Sequence, residues 1–173
     1  MESTLVEMLR QRECKPDVWT MNSTLRAFGG SGQIETMEKC YEKFLSAGIQ
    51  PNIKTFNILL DSYGKTGNYK KMSAVMEYMQ KYYFKWTLVT YNIVIDAFGR
   101  AGDVNQMEFL FRLMQSESIK PNWVLPLMES KGCLPDKITY RTMIKAYNMN
   151  GMSNHVKELR LALSSVGKPD SRR

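Results

Sequence analysis

An all-α solenoid of stacked antiparallel helix pairs is the fold this sequence predicts, and three observations predict it. The first is a 35-residue step that sets Asn22, Asn57 and Asn92 in phase, together with Leu25, Leu60 and Ile95 and with Phe28, Tyr63 and Phe98. The second is glycine returning in the same register, at Gly29, Gly64 and Gly99 and again at Gly32, Gly67 and Gly102. The third is the continuation of that phase through Met37, Met72 and Met107, then through Phe44, Met79 and Met114. A period of roughly 20 to 50 residues marks a supersecondary unit that buries its apolar face only against its neighbours. The arrangement expected is a right-handed superhelix with the first helix of each pair on the concave side.

Residues 1–17 read as a half repeat, a lone second helix over Leu5 to Arg12. The opening Met1 to Glu7 has neither a secretory signal nor an arginine-rich, acid-poor transit sequence, so the chain is expected to be a mature form or a fragment of something longer. A solenoid end without its cover is also expected to self-associate, as a homodimer or end to end. Three whole repeats follow, 18–52, 53–87 and 88–122. In the third, Thr90 is the expected N-cap, and Tyr91, Val94, Ile95 and Phe98 recur at helical spacing. Gly99 and Gly102 end that helix. A second helix starts near Val104, turns Met107, Leu110, Phe111 and Met114 inward, and stops by Pro121.

From Trp123 to Asp136 there are 14 residues where a full unit needs 35, so 123–136 reads as a truncated repeat or as residues missing at a junction. One helix is expected there, from near Pro126 to Gly132. The stack is expected to break or shift at this point and to leave apolar surface of 88–122 for a neighbouring molecule. Residues 137–173 form a fourth copy, with Thr139-Tyr140-Arg141 followed by Ile144, Tyr147, Gly151, Val156 and Leu163. It reads as a capping repeat with a polar tail from Lys168 to Arg173.

The net charge of +7 biases the partners toward polyanions. Cys14, Cys40 and Cys133 are odd in number and widely spaced, which argues for burial in a reducing compartment rather than a disulfide framework. With His155 as the one histidine, and a surface histidine by default, no zinc set assembles. No apolar run reaches the roughly 18 residues of a membrane span, so no membrane partner is expected. No carboxylate pair, nucleophile with a histidine partner, or phosphate loop can be put together, so neither an enzyme nor a cofactor is expected. The 13 methionines are gap-fillers on the inner faces, for instance Met72, Met76 and Met79.

The run Leu88-Val89-Thr90-Tyr91-Asn92-Ile93-Val94-Ile95-Asp96-Ala97-Phe98-Gly99-Arg100-Ala101-Gly102 resembles the first helix of the pentatricopeptide repeat family in its plain 35-residue form. The tetratricopeptide repeat has a similar architecture but a period of roughly 34 and a Trp-Leu-Gly-Tyr pattern that this chain lacks. The resemblance implies sequence-selective binding of single-stranded RNA in a plant chloroplast or mitochondrion. Two residues per unit would then face each base, the fifth and the last: Asn22 with Asn52, Asn57 with Thr87, and Asn92 with Asn122. A carboxamide both donates to and accepts from a Watson–Crick edge. On the family pattern these pairs read pyrimidines, with a lean toward cytosine over uracil.

The second residue of each unit would flank the base, here Trp19, Lys54, Val89 and Ile138, with Trp19 and Val89 suited to stacking. Lys54, Lys65 and Arg100 would meet phosphate, whereas Gly30 holds the corresponding place in the first unit and Arg141 replaces asparagine in the last. Each of these has a plainer reading. The asparagines suit helix starts, Lys65, Lys70, Lys71 and Arg100 suit a solvated face, and Trp19 suits a half-buried place between repeats. The function expected is RNA binding that supports organellar processing, splicing, stability or translation. The alternative is a protein-interaction scaffold in an organellar ribonucleoprotein or enzyme complex.

Overall fold

A computed structural model describes residues 16–115 and 134–165. Among them are eight α-helices and no strand: α1 (Val18–Gly30), α2 (Ile34–Ser46), α3 (Ile53–Lys65), α4 (Tyr69–Lys81), α5 (Leu88–Ala101), α6 (Val104–Gln115), α7 (Lys137–Met149) and α8 (Ser153–Ser165). The expected one-helix insert, the lone helix at the start, Asn122 and the polar tail lie outside the described residues. The chain divides into two compact units, residues 1–81 and 82–173.

Each first helix begins on the same device. Asp17, Asn52, Thr87 and Asp136 stand one residue before α1, α3, α5 and α7, and each side chain accepts from the backbone N–H three residues on. Those third residues are Thr20, Thr55, Thr90 and Thr139. At the last three sites the threonine hydroxyl also returns a bond to the cap residue's backbone N–H, which closes a capping box. The expected N-cap Thr90 is therefore corrected to Thr87, with Thr90 as its partner inside the helix. At the other end Gly102 closes α5 with φ 78°, and the Asp103 N–H reaches back to the Phe98 carbonyl at 3.0 Å. That left-handed conformation suits glycine because it has no Cβ to collide with the carbonyl.

In the first unit α1 pairs with α2 and α3 with α4, and α3 stacks beside α1. Met21 and Leu25 of α1, Met37 and Phe44 of α2, Leu60 of α3 and Met72 and Met79 of α4 are fully buried, as the helical periodicity requires. Gly29 lets the two first helices close up, since a Cβ there would run into the Ser62 side chain. The Tyr63 hydroxyl of α3 donates to Glu38 Oε1 of α2 at 2.8 Å, and Lys71 of α4 pairs with the same carboxylate.

The second unit repeats this plan across the short segment. Here α7 stacks beside α5, with α6 and α8 as their hairpin partners. Gly99 faces Ala146 where Gly29 faces Ser62, and the Tyr147 hydroxyl donates to Glu108 Oε1 at 2.8 Å where Tyr63 meets Glu38. The expected break after 88–122 is thus overturned. Here α7 takes the next place on α5 and covers the apolar face that was expected to stand open. Burial of Val94, Ile95, Met107 and Met143 drives that closure.

Candidate nucleic-acid interface

Along the first helices, the second residue stands out from the surface and the fifth sits one turn further in. Trp19 is 73% exposed, Val89 58% and Ile138 60%, and Lys54 is exposed at the same place in α3. The half-buried seat between repeats expected as the plainer place for Trp19 is not where the structure puts it. Large apolar side chains left this open are free to lie against a flat ligand.

Asn22, Asn57 and Asn92 are half-buried. In the first unit Asn22 reaches across to the start of α3. Its Nδ2 lies 3.5 Å from Asn52 Oδ1, and its Oδ1 accepts from the Thr55 hydroxyl at 2.7 Å. The structure therefore brings together Asn22 and Asn52, the pair named from the sequence. Asn57 belongs to the first unit and Thr87 to the second, and Thr87 caps α5 through Thr90. In the second unit the side chain of Asn92 hydrogen-bonds Asp136, the cap of α7.

Asp136 is a residue the sequence reading passed over as a candidate. Its signal was present: Asp, Asn or Thr followed three residues later by Thr recurs at 17, 52, 87 and 136. Burial works to raise the Asp136 carboxyl, but hydrogen bonds from Thr139, Ile138 and Asn92 outweigh it and hold the group below the usual carboxylate range. Asp17 is lowered chiefly by its bond from the Thr20 backbone N–H.

Two of the cations expected to meet phosphate, Lys65 and Arg100, are engaged with carboxylates of their own helices. Lys65 pairs with Asp61 one turn back, and Arg100 pairs with Asp96, which Lys145 of α7 also reaches at 3.1 Å. An exposed pair of this spacing contributes only about 0.3–0.5 kcal/mol, so Lys65 can trade its aspartate for phosphate at little cost. Arg100 is more enclosed and braces α5 against α7 through Asp96. Arg141 is exposed, and His155 packs on the Tyr147 ring with centroids 5.0 Å apart. Among the described residues no cluster of three metal-ligating side chains occurs, and no helix is long and apolar enough to cross a membrane.

Residues 39–101 match the model of the pentatricopeptide repeat domain, and 89–119 and 138–166 each match that of the PPR repeat. The chain belongs to the pentatricopeptide repeat family. A chloroplastic pentatricopeptide repeat-containing protein of Arabidopsis thaliana is 74% identical over 50 residues, which are 29% of this chain and 10% of that protein. The crystal structure of the maize pentatricopeptide repeat protein PPR10 superposes with a TM-score of 0.58 at 24% identity, covering 97% of this chain and 27% of that one. A cysteine-substituted PPR10 in complex with an 18-nt PSAJ RNA element gives a TM-score of 0.70 at 16% identity, covering 95% and 22%. These likenesses are of fold, and the chain spans a third or less of the length of these relatives. In each unit the fifth residue of one first helix, Asn22 or Asn92, hydrogen-bonds the cap residue of the first helix stacked beside it, Asn52 or Asp136.

Proposed function

We propose that this chain binds single-stranded RNA along its first helices and acts by occupancy on a transcript in a plant organelle, the chloroplast in the first place. The carrying observation is an exposed flat or apolar side chain at Trp19, Val89 and Ile138, placed beside asparagines held against the next cap residue. That combination offers each base a face to stack on and an edge to hydrogen-bond. Asn22 with Asn52, Asn57 with Thr87, and Asn92 at the second unit are the base-reading groups of this proposal, and Lys54, Lys65 and Arg100 its phosphate contacts. The net charge of +7 supports a polyanionic partner. The Arabidopsis relative's chloroplastic name and the PPR10 complex with RNA support the compartment and the ligand.

The test is a titration of labelled single-stranded RNA by fluorescence anisotropy at several salt concentrations, with pyrimidine-rich and purine-rich sequences side by side. Binding that weakens steeply with salt and differs between sequences is the expected result. Absence of binding to every RNA at low salt would overturn the proposal and put the protein-interaction scaffold in its place.

A further inference from the structure

The turn that leads into α5 differs in composition from those that lead into α3 and α7. Before α3 and α7 the chain reads Gly-x-x-Pro, at Gly48 to Pro51 and again at Gly132 to Pro135, whereas before α5 the same places hold Tyr83-Phe84-Lys85-Trp86. Lys81 precedes this run, and no carboxylate stands between Glu77 and Asp96. Aromatic rings interleaved with cations are the composition of surfaces that take single-stranded nucleic acid.

The geometry divides the rings by task. Trp86 is buried, and its ring meets that of Tyr91 edge-on with centroids 5.3 Å apart, which fixes the turn to the start of α5. Tyr83 does the opposite. It takes φ 59° in the place where Gly48 takes φ 81°, and so carries a Cβ into the left-handed conformation at a cost in folding free energy. Packing does not offset that cost, because the side chain is 80% exposed. A bulky residue strained in its backbone with its ring in water serves something other than the fold, and strain of this kind collects where ligands are held. Thr87, the cap of α5, follows only four residues later, and the exposed Val89 follows Thr87 by two. Four residues of chain reach at most about 14 Å, so Tyr83 stays near the end of α5 that carries Val89.

We propose that Tyr83 is a stacking platform for an unpaired base of single-stranded RNA, with the exposed Lys85 meeting the adjoining phosphate. A phenol ring offers its face to any base, so the contact adds affinity without reading sequence. Two lysines with no carboxylate among them favour a polyanion over a protein surface. The platform lies outside the periodic second and fifth residues of the first helices and rests on the RNA-binding reading above.

The experiment titrates labelled pyrimidine-rich and purine-rich single-stranded RNAs with the full chain and its Tyr83→Gly, Tyr83→Asn, Tyr83→Phe and Lys85→Ala variants, and follows urea unfolding of each. Glycine and asparagine tolerate the left-handed conformation, so the first two variants keep the turn and remove the ring. Both are expected to fold at least as stably as the parent, yet to bind RNA about tenfold more weakly, equally for the two sequences and with the salt slope unchanged. Tyr83→Phe, which restores a flat ring, is expected to recover the parent's affinity. Lys85→Ala is expected instead to lower the salt slope by about one counterion. Glycine and asparagine variants that bind both RNAs as the parent does would overturn the inference, leave RNA binding standing and give the ring to a protein partner. A parent chain that binds no RNA would overturn both.

Discussion

Tyr83 sits with φ 59° just after α4, the left-handed conformation that Gly48 adopts with φ 81° just after α2. An L-residue with a Cβ is strained there by about 1–2 kcal/mol, part of which glycine forfeits through its freer unfolded chain. Tyr83 is 80% exposed, so little packing is lost with its ring. Tyr83→Gly is expected to stabilise the fold by about 0.5–1 kcal/mol net, read as a raised midpoint in urea unfolding. Asn92 carries the opposite kind of expectation. Asn92→Ala is expected to weaken binding of a matched RNA by about 1–3 kcal/mol and to relax selectivity at one position only. An unchanged binding profile in a variant of parental helicity would reduce the asparagines to helix-start residues.

At the scale of elements, the stacking of first helices rests on small residues facing each other. A Cβ at Gly99 would collide with Ala146 and crowd Met107, whereas one at Gly30 meets nothing within 4 Å. Gly99→Ala is expected to cost about 1–3 kcal/mol through overpacking, despite its better helix propensity. Gly30→Ala is expected to be neutral or stabilising by up to about 0.5 kcal/mol at that helix end. Equal effects of the two in thermal unfolding would contradict the packing described here.

The tyrosine struts add a pH signature. Burial first, and then the hydrogen bond to Glu38 or Glu108, push the Tyr63 and Tyr147 hydroxyls well above their ordinary value. The native state thus holds its phenol protons more tightly than the unfolded chain does. That stabilisation is complete below the ordinary phenol value of about 10 and is lost as pH rises beyond it toward the folded value. Replacing both by phenylalanine is expected to cost about 1 kcal/mol per lost bond at neutral pH and to flatten the alkaline decline in stability. A decline as steep as the parent's would point to other groups.

For the whole molecule, affinity and selectivity are expected to separate. Lys65→Ala removes a cation whose pair with Asp61 is exposed, so it is expected to weaken all RNA sequences alike and to lower the salt slope by about one counterion. A sequence-dependent loss would instead make Lys65 a reading residue. Much of this molecule was legible beforehand. The 35-residue phase of Leu25, Leu60 and Ile95 named the buried faces, and Val104 was recognised as the start of a second helix. The cap of α5 is legible too in the Thr87-x-x-Thr90 spacing that a capping box needs, although Thr90 stands directly before the apolar run from Tyr91 and so resembles a cap itself.

The sequence by itself determined the helices, the turn at Gly102, the inward faces and the family, because each depends on side chains a few residues apart and on a period that repeats locally. Tertiary structure alone decided which helix lies beside α5. The apolar stripe of Tyr91, Val94 and Ile95 will accept any first helix of the right shape, and closing a longer connection costs free energy that grows only as the logarithm of its length. A hairpin can therefore be skipped and the stack resumed with α7. For that reason the side chain opposite Asn92 came from position 136, and with it a carboxylate in place of a carboxamide.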